Sequence, residues 1–146
     1  MNIDHIGIVV PSLQRGIQEW ESLFSYKQIS PIVDNSRQEV RVVFLAKDGS
    51  LTVKLVEPSG PDSPVASYAR KGGGLHHLCF RCDDLEIAVP LMKQEGVRFL
   101  VAPQPGEAFC GHRIAFCLTQ GSLNIELIDT DEKALFGAAE QHQEMM

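Results

Sequence analysis

Two stretches of this chain carry the same residue pattern about 70 residues apart, and that repetition limits the fold more than any other feature. Asp4-His5-Ile6-Gly7-Ile8 lines up with His76-His77-Leu78-Cys79-Phe80, and Leu51-Thr52-Val53-Lys54-Leu55-Val56 with Leu123-Asn124-Ile125-Glu126-Leu127-Ile128. His5 therefore corresponds to His77, and Lys54 to Glu126. Each half reads as a strand, a helix and three further strands. In the first half, Ile3–Val10 is β-branched and stops at Pro11; Ser12 caps a helix to about Phe24. Strands follow at about Lys27–Val33, Glu39–Ala46 and Leu51–Glu57, the last two joined by a Lys47–Ser50 turn. In the second half, Leu75–Cys82 is a strand, Asp83 or Asp84 caps a helix to about Glu95, and Gly96 ends it. Strands near Val97–Val101, Arg113–Leu118 and Leu123–Asp129 complete the pattern.

Neither half can cover its own sheet. The expected fold is α+β: two βαβββ modules pairing into a curved mixed sheet, a cup with helices outside. Module 1 takes about residues 1–60, a linker 61–73, module 2 about 74–130 and a polar tail 131–146 that forms a short fraying helix. A short helix over Val65–Arg70 lies within the linker, and Gly72-Gly73-Gly74 reads as a flexible join rather than a phosphate loop, since no helix opens after it.

Alternation along strands decides what faces the cup. With Ile6, Ile8 and Val10 against the first helix, His5, Gly7 and Val9 turn inward. Likewise His77, Cys79 and Arg81 face in opposite Leu78, Phe80 and Cys82, while Asn124, Glu126 and Ile128 face in opposite Leu123, Ile125 and Leu127. Lys54 faces in between Val53 and Leu55. Equivalent positions thus present His, Lys, His and Glu to one cavity. His76 alternates away and reads as exposed or supporting; His112 and His142 have no patterned partner and read as surface residues.

The formal charge of -6 and pI near 5.3 exclude the basic stripe that nucleic-acid binding requires. No apolar run reaches membrane-spanning length and no leader pattern opens the chain. Cys79 and Cys82, three apart on a strand, point to opposite faces and cannot easily grip one metal, so the four cysteines read as free thiols of a cytoplasmic protein.

The segments IDHIGIVV, VKLVEPSGPDSPVASY, GGGLHHLCFRCDDL and NIELID, in this order and spacing, resemble the methylmalonyl-CoA epimerase branch of the vicinal oxygen chelate (glyoxalase/bleomycin resistance/dioxygenase) superfamily. The likeness runs to about Asp129. It implies a small-molecule substrate, a homodimer, and a divalent metal (Zn, Ni, Co, Mn or Fe) held by His5, His77 and Glu126. Such an ion would polarise a carbonyl and stabilise an enolate as the α-proton leaves. The implied activity is that of an isomerase or lyase of the epimerase/glyoxalase type acting on a small carbonyl compound or acyl-CoA. Glu126 would be ligand or base and Lys54 a stabiliser of the developing oxyanion; Arg81 and Arg113 are candidates for a substrate carboxylate or phosphate.

Two departures stand against the epimerase pattern. Lys54 sits where the family has Glu or Gln, and Ser36-Arg37-Gln38-Glu39 occupies the region of a catalytic carboxylate. Three readings remain open. His5, His77 and Glu126 bind a metal alone, as in extradiol dioxygenases; or Lys54 replaces the metal by pairing with Glu126; or the cup sequesters a small molecule without turnover, as bleomycin-resistance proteins do.

Overall fold

In the computed structural model, which describes residues 1–137, the alternating stretches pair into one sheet. The elements are β1 (Asn2–Val9), α1 (Leu13–Phe24), β2 (Lys27–Gln28), β3 (Val33–Asn35), β4 (Val40–Ala46), β5 (Thr52–Pro58), α2 (Ala66–Arg70), β6 (Gly74–Arg81), α3 (Leu85–Gln94), β7 (Arg98–Pro105), a 3₁₀ turn (Glu107–Phe109), β8 (Arg113–Leu118) and β9 (Asn124–Ile128). The sheet order is β2-β4-β5-β1-β6-β9-β8-β7, with β3 also on β4. β1 runs parallel to β5 and β6 parallel to β9, and the halves join where β1 and β6 pair antiparallel. The two histidine-bearing strands are therefore neighbours at the centre of a curved sheet of mixed α+β type.

Period-two alternation sorts the apolar residues into separate cores. Val10, Leu13, Val43, Val53 and Leu55 pack with Ile17 and Trp20 of α1. Leu85 and Val89 of α3 pack with Cys82, Ala115 and Leu127. Inside the cup, Val9, Val42, Phe44, Val56, Cys79, Phe109 and Ile128 form a third cluster. The helices start where capping residues allow: Ser12 Oγ accepts from Arg15 N at 3.3 Å, and Asp84 Oδ1 from Glu86 N at 2.9 Å.

The differences from the sequence reading have local causes. The stretch expected as one strand over Lys27–Val33 is two, β2 and β3. Pro31 brings no N–H to a ladder, and the buried Ser30 hydroxyl accepts from Phe44 N at 2.8 Å instead. β7 continues past Val101 to Pro105, with register irregularities on both sides of Val101. The glycine run crosses close against β1: Gly72, Gly73 and Gly74 all have positive φ, and a Cβ on Gly73 would stand 2.2 Å from Val9 O, so the crossing requires glycine there. Residues 131–137 form no helix; Ala134 N bonds Ala108 O and Phe136 N bonds Ile29 O, both at 2.9 Å, so the segment ties the two halves together. The rest of the expected tail helix, and His142, lie outside the described residues. No described helix is long and apolar enough to cross a membrane.

Candidate active site

Two bulges at the β1–β6 seam shape the site. The pairing steps from Ile3–Phe80 to His5–Cys79, leaving Asp4 as an extra residue on β1. It steps again from Gly7–His77 to Ile8–Leu75, leaving His76 as an extra residue on β6. A bulge suspends alternation, so each histidine gains its preceding neighbour as a partner. Asp4 Oδ2 lies 2.7 Å from His5 Nδ1, and His76 Nδ1 lies 2.8 Å from His77 Nδ1. Simple alternation sends His76 away from the cup; the bulge turns it back, against His77 and into the cavity lining. Gly7 makes room for the second histidine, since a Cβ there would stand 2.1–2.4 Å from the His77 ring.

His5, Lys54, His77 and Glu126 converge in the closed end of the cup, none more than 5 % exposed. Lys54 Nζ donates to both carboxylate oxygens of Glu126, at 2.8 and 3.0 Å. His5 Nε2 stands 2.9 Å and His77 Nε2 3.4 Å from Glu126 Oε1, but neither approach is aligned as a hydrogen bond, and both nitrogens are buried without a partner. A second ion pair backs the first: Lys133 Nζ reaches Asp4 Oδ1 at 2.9 Å. Buried charge is thus balanced in two pairs, Lys54 with Glu126 and Lys133 with Asp4.

These surroundings set the protonation states. Burial pushes the Glu126 carboxyl up, but the Lys54 ammonium and the two imidazoles outweigh it and hold the group well below the usual carboxylate range. For Asp4 burial again raises, and the bonds from His5 and Lys133 win. Burial, reinforced by Lys54, lowers His77 to about 4 and lowers His76 as well, so both rings are neutral at pH 7. The Cys79 thiol, pushed up by burial and then by Glu126, is not a nucleophile here.

Above the cluster lies a cavity of about 230 Å³. Lys54, His76 and His77 are the ionisable groups of its wall, joined by the amides of Asn35, Gln38 and Asn124, with apolar side chains around them. Asn35 is buried and its Oδ1 has no partner. His5 and Glu126 sit behind Lys54 and His77 and do not line the cavity. From the stretch over 36–39, Gln38 reaches the wall while Arg37 and Glu39 are exposed; the cavity has an amide there and no carboxylate. Neither Arg81 nor Arg113 lines it. Arg81, at the end of β6, pairs with Asp131, and Arg113 pairs with Glu86 of α3 at 2.6 Å. His112, half-exposed, lies 3.3 Å from Glu132.

Sequence reasoning missed Asp4, Lys133, Asn35 and the inward turn of His76. The repeat did carry a signal for two of these, since Asp4 and His76 occupy equivalent places in it.

The donor set suits a divalent ion only in part. His5, His77 and Glu126 each offer an atom within 4.8 Å of the others, and two orphaned imidazole nitrogens among them suit a metal. The fourth member does not. Both Glu126 oxygens are already bonded to an ammonium, and a dication about 4 Å from that charge would meet a repulsion of about 8 kcal/mol at an effective dielectric near 20. With Lys54 protonated, the residues do not fit the ion.

The Glyoxalase/Bleomycin resistance protein/Dioxygenase superfamily matches residues 4–116, and the chain belongs to this superfamily. Among known proteins it is similar to "Methylmalonyl-CoA epimerase, mitochondrial" of Dictyostelium discoideum, 29% identical over 133 residues, which is 90% of this chain and 78% of that protein. Its fold matches the crystal structure of methylmalonyl-CoA epimerase from Mycobacterium tuberculosis with a TM-score of 0.78 and 28% identity, covering 88% of this chain and 87% of that one. It also matches a methylmalonyl-CoA epimerase in complex with methylmalonyl-CoA and NH4+, TM-score 0.75, 27% identity, covering 91% and 97%. These relatives are enzymes, and the chain stands with them as an isomerase of the epimerase type.

Proposed function

We propose that this protein catalyses proton transfer at the carbon α to an acyl thioester, inverting or exchanging that centre through an enolate-like intermediate. The observation that carries the reading is the Lys54 ammonium, held by Glu126 at the floor of a closed-ended cavity. An enolate places negative charge on the thioester oxygen, and a fixed cation in a poorly hydrated site stabilises that charge far better than water does. Lys54 has three N–H bonds; Glu126 takes two, which leaves one for a substrate oxygen. Glu126 has no surface in the cavity, so its part is to hold Lys54 charged and oriented. Proton transfer falls to the neutral imidazole of His76 in the wall, with His77 bonded behind it.

The cavity volume suits a short acyl group, with the carrier running out through the mouth. The relatives named for methylmalonyl-CoA support a 2-substituted acyl-CoA as substrate. The test is α-proton exchange in deuterated water with methylmalonyl-CoA and ethylmalonyl-CoA, followed by NMR. Deuterium at the 2-position, abolished by Lys54→Met, is the expected result; no exchange with any acyl-CoA would remove the reading. The protein is further proposed to act as a homodimer, consistent with large exposed apolar residues such as Leu75 and Ile87, and in a reducing, cytoplasmic compartment, consistent with four free cysteines. Sedimentation measures the first point and localisation of the tagged chain the second.

A further inference from the structure

We propose that Lys54 permanently occupies the cation position of this cup, so that the enzyme works without a divalent metal. The inference deepens the function proposed above and rests on it for what the cation does, though not for whether a metal binds. Charge balance carries the argument. The buried groups already form two neutral pairs, Lys54–Glu126 and Lys133–Asp4, so a dication would arrive with no free negative charge to meet it. Geometry agrees: the ammonium takes both oxygens of the carboxylate that a metal would need. The ring of Phe109, 5.5 Å from Nζ, adds its π-face to the cation's surroundings. Lys54 is nearly fully buried on β5 between β4 and β1, and its two bonds to the carboxylate keep Glu126 occupied.

A tethered ammonium does the electrostatic part of a metal's work and lacks the rest. It offers an N–H to an oxyanion but has no open coordination positions and no redox state. The site therefore suits enolate chemistry and not oxygen activation, which argues against the extradiol-dioxygenase alternative.

The test measures metal directly. Wild-type protein purified without chelator should carry far less than one equivalent of Zn, Ni, Co, Mn or Fe by elemental analysis. It should also show no visible absorption bands on titration with Co²⁺, and no response of exchange activity to EDTA. Lys54→Gln removes the competing charge and leaves His5, His77 and Glu126 in place. Co²⁺ affinity should rise by up to about 10⁶-fold, the effect of deleting one positive charge about 4 Å from a dication at an effective dielectric near 20, and Co²⁺ should raise the variant's melting temperature. Stoichiometric metal in the wild type that disappears in His5→Ala overturns the inference, as does a folded Lys54→Gln protein that gains no Co²⁺. Should Lys54→Gln fail to fold even with Co²⁺ present, the wild-type measurements decide alone. Apart from the EDTA response, none of these readouts requires turnover, so a protein inactive on every acyl-CoA would lose the proposed function without changing this result.

Discussion

The two halves of the cup share a backbone plan and differ in charge at the same places. β5 brings Lys54 beside Gly7 of β1, and β9 brings Glu126 beside Cys79 of β6. Each central strand bulges one residue before its histidine, and the bulged residue supports that buried ring: Asp4 for His5, His76 for His77. The first half thus supplies an ammonium and a carboxylate-anchored imidazole, the second a carboxylate and an imidazole anchored by another imidazole. Symmetry of fold with asymmetry of charge produces a self-neutralising site. Two identical halves would place like charges together in the core.

The largest expected effect comes from breaking the cross-half pair. Lys54→Ala leaves Glu126 charged, buried and unpaired, and should cost about 3–5 kcal/mol of stability by urea denaturation; Glu126→Ala should cost a similar amount. The exchanged double variant Lys54→Glu/Glu126→Lys should recover most of that loss, because the positions are equivalent. Failure to recover would show that the halves are less alike than their strands suggest. Next is Gly7→Ala. Its Cβ runs into the His77 ring, so about 1–3 kcal/mol of overpacking strain is expected, while Cys79→Ala at the equivalent place should be milder.

Support of the histidines comes third. Asp4→Asn keeps the shape but removes the charge shared by His5 and Lys133, and should lower kcat by about 10- to 100-fold, the worth of a hydrogen bond to a charged group, with a smaller change in KM. His76→Gln should alter the pH–rate profile as well as kcat, since it sits in the cavity wall and Asp4 does not. The pH dependence of stability sharpens the contrast further. His77 is about 4 in the folded chain against an ordinary 6.5, so between these values the unfolded chain binds a proton that the folded chain refuses. Stability should be full above pH 6.5 and fall as pH drops toward 4; Glu126, lowered on folding, extends the loss to lower pH. The slope between pH 6.5 and 4 should flatten in His77→Gln. The smallest effect is expected at Asn35, whose unpartnered amide faces the cavity: Asn35→Ala should raise KM a few-fold, roughly one neutral hydrogen bond, with kcat little changed.

Much of this was legible in the chain. The repeat places His5 opposite His77 and Lys54 opposite Glu126 before any relative is considered, because period-two burial on both faces of a strand fixes which side chains can meet. Val53 and Leu55 make a slip at Lys54 costly, and the lysine is indeed inside. Arg81 obeys the same alternation, but it lies at the last position of β6, beyond the cup's depth, where Asp131 takes it. Alternation gives a face, not a depth. Arg113 is settled by where β8 begins, beside Glu86 of α3.

The sequence by itself determined the repeated order of strands and helices, the inward placement of His5, Lys54, His77 and Glu126, and the presence of a cation where the family pattern has a neutral or acidic ligand. Local rules suffice for these, since each depends on residues two or four apart. Tertiary structure decided the bulges at Asp4 and His76, the bond of Lys54 to both oxygens of Glu126, and the return of Lys133 to Asp4. Bulges depend on the register between strands more than 60 residues apart, and the ion pairs depend on which distant charge shares a dry pocket. No single strand encodes either, because the energy of a buried charge is a property of its neighbours.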